Sequence, residues 1–291
     1  MTIDFHTHTF PDAIAGKAVR KLAGNSHTMP FLDGTANALR GSMRRAGIDR
    51  CVVLPVATAA RQVPHINDAA LETNRHAEET GVYSLGGMHP DYESFAEELR
   101  RLKDGGIRGI KLHPPYQGVD FDDARTLRIL SACAELGLFV VIHAGWDVGL
   151  PGEAQALPEK IYRAVRAVGP VRLVCAHMGG WRCWDEVEML LGDTPVLIDT
   201  AFSLGSMTPL DDGTAWRDED LRMMTEEQFI RLVRRFGAER VLFGTDSPWA
   251  DQKTALADFL ALPLSEQEKT QILGENAASL MGWTERGSAP Q

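Results

Sequence analysis

The sequence predicts an α/β fold, a single (β/α)8 barrel of the TIM type covering residues 1–291. Two observations carry this expectation. Short apolar or β-branched runs occur eight times. They alternate with amphipathic stretches of about 10–15 residues, the pattern of a parallel sheet covered by helices. The alternative, an open doubly wound sheet, ordinarily shows a glycine-rich phosphate loop after its first strand. Here the first strand ends instead in His6-Thr7-His8.

The elements follow in order. The first strand spans 2–8 (Thr2 to His8), and a helical pattern follows at 34–47. The second strand, 50–57, opens Arg50-Cys51-Val52-Val53 and leads to a helix at 67–80. The third strand, 82–89, precedes a helix at 92–104. In that helix Phe95, Leu99 and Leu102 recur on one face, Asp91, Glu93 and Glu97 sit near the positive helix start, and Gly105-Gly106 stops it. Strands at 107–113, 139–144, 171–177 and 194–201 alternate with helices at 122–136, 157–168, 182–191 and 225–236. The last strand, 240–246, is followed by helices at 251–261 and 266–282. The polar tail 284–291 is expected to fray. The long connection from Ser203 to Met224, after strand seven, reads as a functional lid or a disordered loop and is where specificity is expected to reside.

Composition narrows the function classes. Hydrophobic residues make up 44% and charged residues 24%, ordinary globular usage that argues against disorder and coiled coil. Acidic residues outnumber basic ones, 40 to 30, for a net charge of −10, which repels phosphate backbones. Arg44-Arg45, Arg100-Arg101 and Arg234-Arg235 are isolated pairs on helix faces and form no nucleic-acid patch. No apolar run nears the roughly 18 residues of a membrane span, and no secretory signal is visible. Cys51, Cys133, Cys175 and Cys183 form no CxxC pair, which fits a reducing cytoplasm. The expected partner is a small molecule; the sequence leaves monomer and homodimer open.

A barrel collects its reactive groups at the C-terminal ends of its strands. Strand one offers His6 and His8 two residues apart, placed by alternation on one face. Strand four ends Lys111-Leu112-His113, strand five in His143, strand six in His177 and strand eight in Asp246. An ionisable group at the end of a buried strand costs desolvation unless a metal or partner compensates it. Imidazole nitrogen with carboxylate oxygen suits Zn²⁺, with Mn or Fe as alternatives, and the absence of clustered cysteine points to a catalytic site with an open position. His27, His65 and His76 are expected on the surface, while His89 and His113 are candidates for the mouth. Trp146, Trp181 and Trp249 follow strands five, six and eight and serve either as aromatic walls for a planar substrate or as packing between helix and barrel. Arg182 and Arg217 are candidate carboxylate anchors, with surface exposure the default for both.

These pieces, in this order, resemble the amidohydrolase superfamily, specifically the amidohydrolase-related group that also contains metal-dependent decarboxylases. The matching segments are Asp4-Phe5-His6-Thr7-His8, Gly109 to Pro114, Ile142-His143-Ala144-Gly145, Ala176-His177-Met178-Gly179-Gly180 and Phe243-Gly244-Thr245-Asp246-Ser247-Pro248. The resemblance implies that His6, His8, His143 and Asp246 bind the metal. It also implies that His177 polarises the substrate or moves a proton, and that Asp246 doubles as acid and base. In two-metal members a strand-four lysine is carbamylated and bridges the ions, with the counterpart of His177 on the second. Lys111 stands on that strand, as bridge or as a cation for a substrate carboxylate. One ion is expected, and two stay open.

The function so implied is a metal-dependent hydrolase that attacks an amide, lactone or ester carbonyl through a metal-activated water. The alternative is a metal-dependent non-oxidative decarboxylase of an aromatic or unsaturated acid. A barrel that binds without turnover is a third reading, and the presence of both Asp246 and His177 argues against it.

Overall fold

A computed structural model describes residues 1–283; the tail 284–291 lies outside the described residues. The strands are β1 (Ile3–Thr7), β2 (Arg50–Val53), β3 (Val82–Ser84), β4 (Gly86–Gly87), β5 (Gly109–Leu112), β6 (Phe139–Ile142), β7 (Leu173–Cys175), β8 (Leu197–Asp199) and β9 (Val241–Leu242). All pair in parallel, in the orders β1-β2-β3 and β4-β5-β6-β7-β8-β9. The third expected strand is present as two halves, β3 and β4, divided at Leu85. The Leu85 amide still donates to Val53 O at 3.0 Å, after which Gly86 pairs with Ile110 of β5.

At the other seam three backbone bonds join the first strand to the run after β9. Phe5 N donates to Phe243 O (2.8 Å), Asp246 N to His6 O (2.8 Å) and His8 N to Ser247 O (2.7 Å). These bonds close the ring, so eight strand positions form a barrel with no free edge.

The barrel interior is filled. Phe5, Val52, Leu54, Leu85, Phe139, Val141, Val174 and Leu242 form one buried cluster, and the rings of Phe5 and Phe139 approach to 5.9 Å between centroids. Strict alternation from Phe5 would turn His6 outward. The register of β1 against β2 slips by one residue between Asp4 and Thr7. This bulge lets Phe5 fill the core while His6 and His8 both reach the cavity, and re-aiming a side chain beside a site is a recurrent use of bulges.

Helices cover the outside. Glu226–Phe236 shows why: Thr225 and Gln228 make a reciprocal capping box, and Phe229, Leu232, Val233 and Phe236 form the buried stripe. Each such side chain contributes about 1.5–3 kcal/mol by burial. At the barrel's lower end, the helical run from Glu266 to Met281 contains a turn of wider spacing at Gln271–Glu275. Its Ala277, Leu280 and Met281 join the interior cluster and plug the ring.

Asp12–Ser26 is a helix that the periodicity did not predict. Its buried stripe is Ala15, Val19 and Ala23, small residues that give a faint signal, and Gly16 and Gly24 dilute it further. The loop 203–224 is ordered by backbone pairing. Thr28 bridges to Pro209, Met29 N donates to Thr208 O, and Leu210 N donates to His27 O. No helix among the described residues is long and apolar enough to cross a membrane.

Candidate active site

A cavity of about 1060 Å³ opens at the C-terminal ends of the strands. His6, His8, Lys111, His113, His143, His177 and Asp246 line it, with Trp146, Trp181 and Trp249. Five strands thus deliver the residues that the sequence singled out, and all three tryptophans are walls of the cavity.

The tightest cluster is a triangle. His6 Nε2 lies 3.2 Å from His8 Nε2 and 3.2 Å from Asp246 Oδ1, and His8 Nε2 lies 3.0 Å from the same oxygen. The far nitrogens fix what these atoms are. His6 Nδ1 faces Asp199 Oδ2 at 2.8 Å, and His8 Nδ1 faces the carbonyl of Leu54 at 2.8 Å. Both partners are acceptors, so both Nδ1 atoms carry the proton. With the proton of each ring on Nδ1, both Nε2 atoms present lone pairs, and these converge with a carboxylate oxygen on one point. A cation satisfies that arrangement. Metal–nitrogen bonds of about 2.0–2.1 Å at a tetrahedral centre separate ligand atoms by ~3.3 Å, close to the triangle's edges. Burial, then the charge of Lys111, holds His6 well below its ordinary pKa, so the ring is neutral.

A second cluster, His113, His143 and Asp147, is equally compact but has the opposite chemistry. His143 Nε2 donates to Trp146 O at 3.0 Å. His113 Nδ1 accepts weakly from Tyr116 N at 3.5 Å, which leaves its Nε2 as a donor. Both Nε2 atoms face Asp147 Oδ2, at 3.4 and 3.6 Å. With a proton on each Nε2, and that of His143 directed to Trp146 O, neither nitrogen offers a cation a lone pair beside Asp147. The result is that His143 presents the lone pair on Nδ1, which meets His177 Nε2 at 3.1 Å. His177 donates from Nδ1 to Ala201 O at 2.9 Å, so its Nε2 is also a lone pair. His143 therefore sits one ring away from the triangle, against His177. Burial, with Lys111 next for His143 and His143 next for His177, pushes both pKa values down to about 3.

Lys111 is buried, lines the cavity and makes no ion pair within 4.0 Å among the described residues. Burial lowers its pKa to about 8 against the opposing pull of Asp199, Asp246 and Asp147. For Asp246, burial pushes the pKa up, yet the close contact with His8 and the buried ammonium of Lys111 outweigh it and hold the carboxyl below its ordinary value. His177 and Asp246 both adopt left-handed backbone conformations, φ 61° and 70°. Such strain in a non-glycine residue persists only where the surroundings over-determine it.

Several residues carry the site without having been singled out by sequence. Asp199 accepts from His6 through Oδ2 and from the amides of His177 (3.0 Å) and Ala201 (3.1 Å) through Oδ1. Asp4 accepts from the amide (3.0 Å) and hydroxyl (2.6 Å) of Thr245 and from Gln252 Nε2 (2.7 Å), tying β1 to the strand end that bears Asp246. Asp147, Tyr116 and Arg61 also line the cavity. A carboxylate at the end of the seventh apolar run, Leu197-Ile198-Asp199, was the signal available for Asp199.

The remaining candidates divide between those that stay at the surface as expected and those that do not. Arg182 donates to Asp220 O, Arg217 is exposed and pairs with Asp220, and neither lines the cavity. His76 is on the surface beside Glu72, and His27 pairs with Asp212 at 2.7 Å. His65 is exposed but stands on the cavity wall, whereas His89 is buried outside it, accepting from Asp91 N. Among the described residues, none of 203–224 lines the cavity; the connections after β1 and β2 form its outer walls. The long loop instead packs on the end of helix Asp12–Ser26.

The family model described as amidohydrolase matches residues 3–283. A curated relative, 2-amino-3-carboxymuconate-6-semialdehyde decarboxylase of Dictyostelium discoideum, is 26% identical over 210 residues. That match covers 65% of this chain and 58% of the relative, less than two thirds of its length. Among solved structures, a 5-carboxyvanillate decarboxylase of Novosphingobium aromaticivorans with bound manganese superposes with TM-score 0.68 at 15% identity, covering 97% of each chain. A Pseudomonas putida protein, a candidate 2-pyrone-4,6-dicarboxylic acid hydrolase, does so with TM-score 0.63 at 20% identity, again covering 97% of each chain. At these identities the structures speak for the fold alone.

Proposed function

The chain belongs to the amidohydrolase family of enzymes, and on that premise we propose that it is a metal-dependent decarboxylase of an aromatic or unsaturated carboxylic acid. The observation that carries the metal is the triangle of His6 Nε2, His8 Nε2 and Asp246 Oδ1, three acceptors with no proton to share. In this reading they hold one divalent ion, Zn, Mn or Fe, and His143 Nδ1 completes the set by leaving His177. When bound, the ion supplies Lewis acidity and a fixed positive charge to substrate oxygens.

The residues supply the rest. Lys111, a buried ammonium without an ion-pair partner among the described residues, takes a substrate carboxylate or other anionic group. Trp146, Trp181 and Trp249 hold a planar substrate. Breaking the C–COO⁻ bond releases CO₂ and leaves the electron pair on carbon, where a proton must arrive. Asp246, held ionised, takes a proton from a substrate hydroxyl or from water and delivers it to that carbon. His177, neutral, keeps Nε2 as an acceptor that orients the substrate.

Decarboxylation is preferred to hydrolysis because the curated relative matched in sequence is named a decarboxylase. The same residues would serve attack of water on a carbonyl. A substrate panel with the metal-loaded enzyme separates them. Release of CO₂ from hydroxylated or unsaturated carboxylic acids is expected. Turnover of lactones or amides with no CO₂ from any acid would replace this reading with the hydrolase.

A further inference from the structure

The cavity is larger than the chemistry needs. At about 30 Å³ per water, its volume of about 1060 Å³ holds roughly 35 waters, and a single-ring acid seated at the triangle displaces only a few. The extra space is continuous with the site and has a definite lining. Helix Asp12–Ser26 presents Ile14, Ala18 and Leu22, spaced by four, and helix Val63–Arg75 presents Ile66, Ala69 and Ala70. The first helix buries the neighbouring stripe Ala15, Val19 and Ala23 against the protein. The cavity stripe is thus a second apolar face, and solvent is not its only neighbour. Ala18, Ala69 and Ala70 are the small members of this lining, and larger side chains there would take volume from the cavity.

We infer that this limb is a subsite for an extended apolar tail, so that the substrate is an acid whose carboxylated head sits at the triangle and whose alkyl or acyl chain lies between the two helices. The inference rests on the proposed seat of the head but is separable from it. A chain in the limb sheds water from both helix faces, and burial of each methylene contributes about 0.8 kcal/mol, roughly fourfold in affinity.

The test is isothermal titration calorimetry of the Mn²⁺-loaded and metal-free protein with 4-n-alkylbenzoates from methyl to octyl. The dissociation constant of the loaded protein is expected to fall two- to fourfold per methylene over the first members. Ala18→Trp, which fills the limb, is expected to abolish that slope. Ala69→Phe, from the facing helix, gives an independent check should the first variant fold poorly. A slope near zero in the wild type overturns the inference, as does a slope that both variants retain. A slope that is steep, is lost in the variants and persists without metal supports the limb and counts only against the metal seat of the head. Loss of both slope and metal dependence removes both.

Discussion

Asp199→Asn isolates how the protein controls the tautomer of His6. The carboxylate divides its work: Oδ1 accepts two backbone amides, and Oδ2 accepts His6 Nδ1–H. In the variant the amide oxygen is expected to stay on the backbone pair, because turning it around strands two buried donors at about 1–3 kcal/mol each. The amide nitrogen then faces His6 Nδ1. Two donors cannot meet, so the imidazole moves its proton to Nε2, the atom offered to the ion. Loss of such an outer partner weakens metal binding by about 10–100-fold. Stability reads this out. With free metal at 1,000 times the wild-type dissociation constant, binding adds about 4.1 kcal/mol, and the variant retains about 1.4–2.7 kcal/mol of it. The assay is urea unfolding with and without Mn²⁺ or Zn²⁺, beside a competitive chelator titration. The metal-free midpoints are expected to agree, since the backbone bonds are kept. A variant that binds metal within about twofold of wild type would refute the assignment of His6 Nε2 as a ligand held by Asp199.

Asp246→Asn is expected to keep part of its metal but to lose about 10²–10⁴-fold in turnover on whichever substrate is found, from proton transfer alone; undiminished turnover excludes Asp246 as the proton carrier. Lys111→Met probes the buried ammonium. With the folded pKa near 8 and the unfolded one at 10.5, the unfolded chain binds more protons between these values. The stability of wild type relative to the variant therefore rises with pH across that window, by up to about 3 kcal/mol in the metal-free protein. Urea midpoints of the two proteins at pH 7.5 and 10 measure it, and a pH-independent gap means that Lys111 is not desolvated. Gly145→Ala places a methyl group on the backbone of Trp181 at a φ of +84°. Strain of about 1–2 and overpacking of about 1–3 kcal/mol add to an expected loss of about 2–5 kcal/mol, and a loss below about 1 kcal/mol shows that the strand ends are not so closely joined.

Much of the barrel was legible because its strands are buried on both faces and read as short apolar runs, each broken by a helix with a stripe. The site residues His6, His8, His143, His177 and Asp246 were legible for the complementary reason that polar groups interrupt those runs where they stop. What was not legible depends on three-dimensional partnership. Alternation alone would have sent His6 outward once Phe5 is inside, and the bulge that reconciles them has no sequence mark. Asp199 looks like any strand-ending acid until His6 Nδ1 is seen 2.8 Å away. The difference between two clusters of the same residue types lies in which nitrogen meets a backbone carbonyl, Nδ1 of His8 at Leu54 but Nε2 of His143 at Trp146, and no side chain marks that in the sequence. Helix Asp12–Ser26 gives little signal because a stripe of alanines is a poor one, and its place on the cavity wall, where loop 203–224 contributes no described residue, was not legible.

The seam between the first strand and the last has a consequence for biosynthesis. His8 and the carboxylate it meets lie 238 residues apart in the chain, so Asp246 is synthesised long after the imidazoles. Until that point the nascent chain has the two imidazoles of the proposed ion site but not its carboxylate. On the proposed assignment the donor set is complete only once residues 243–247 dock onto β1. A ribosome stalled short of Asp246 leaves a polypeptide with most of its scaffold and no functional centre.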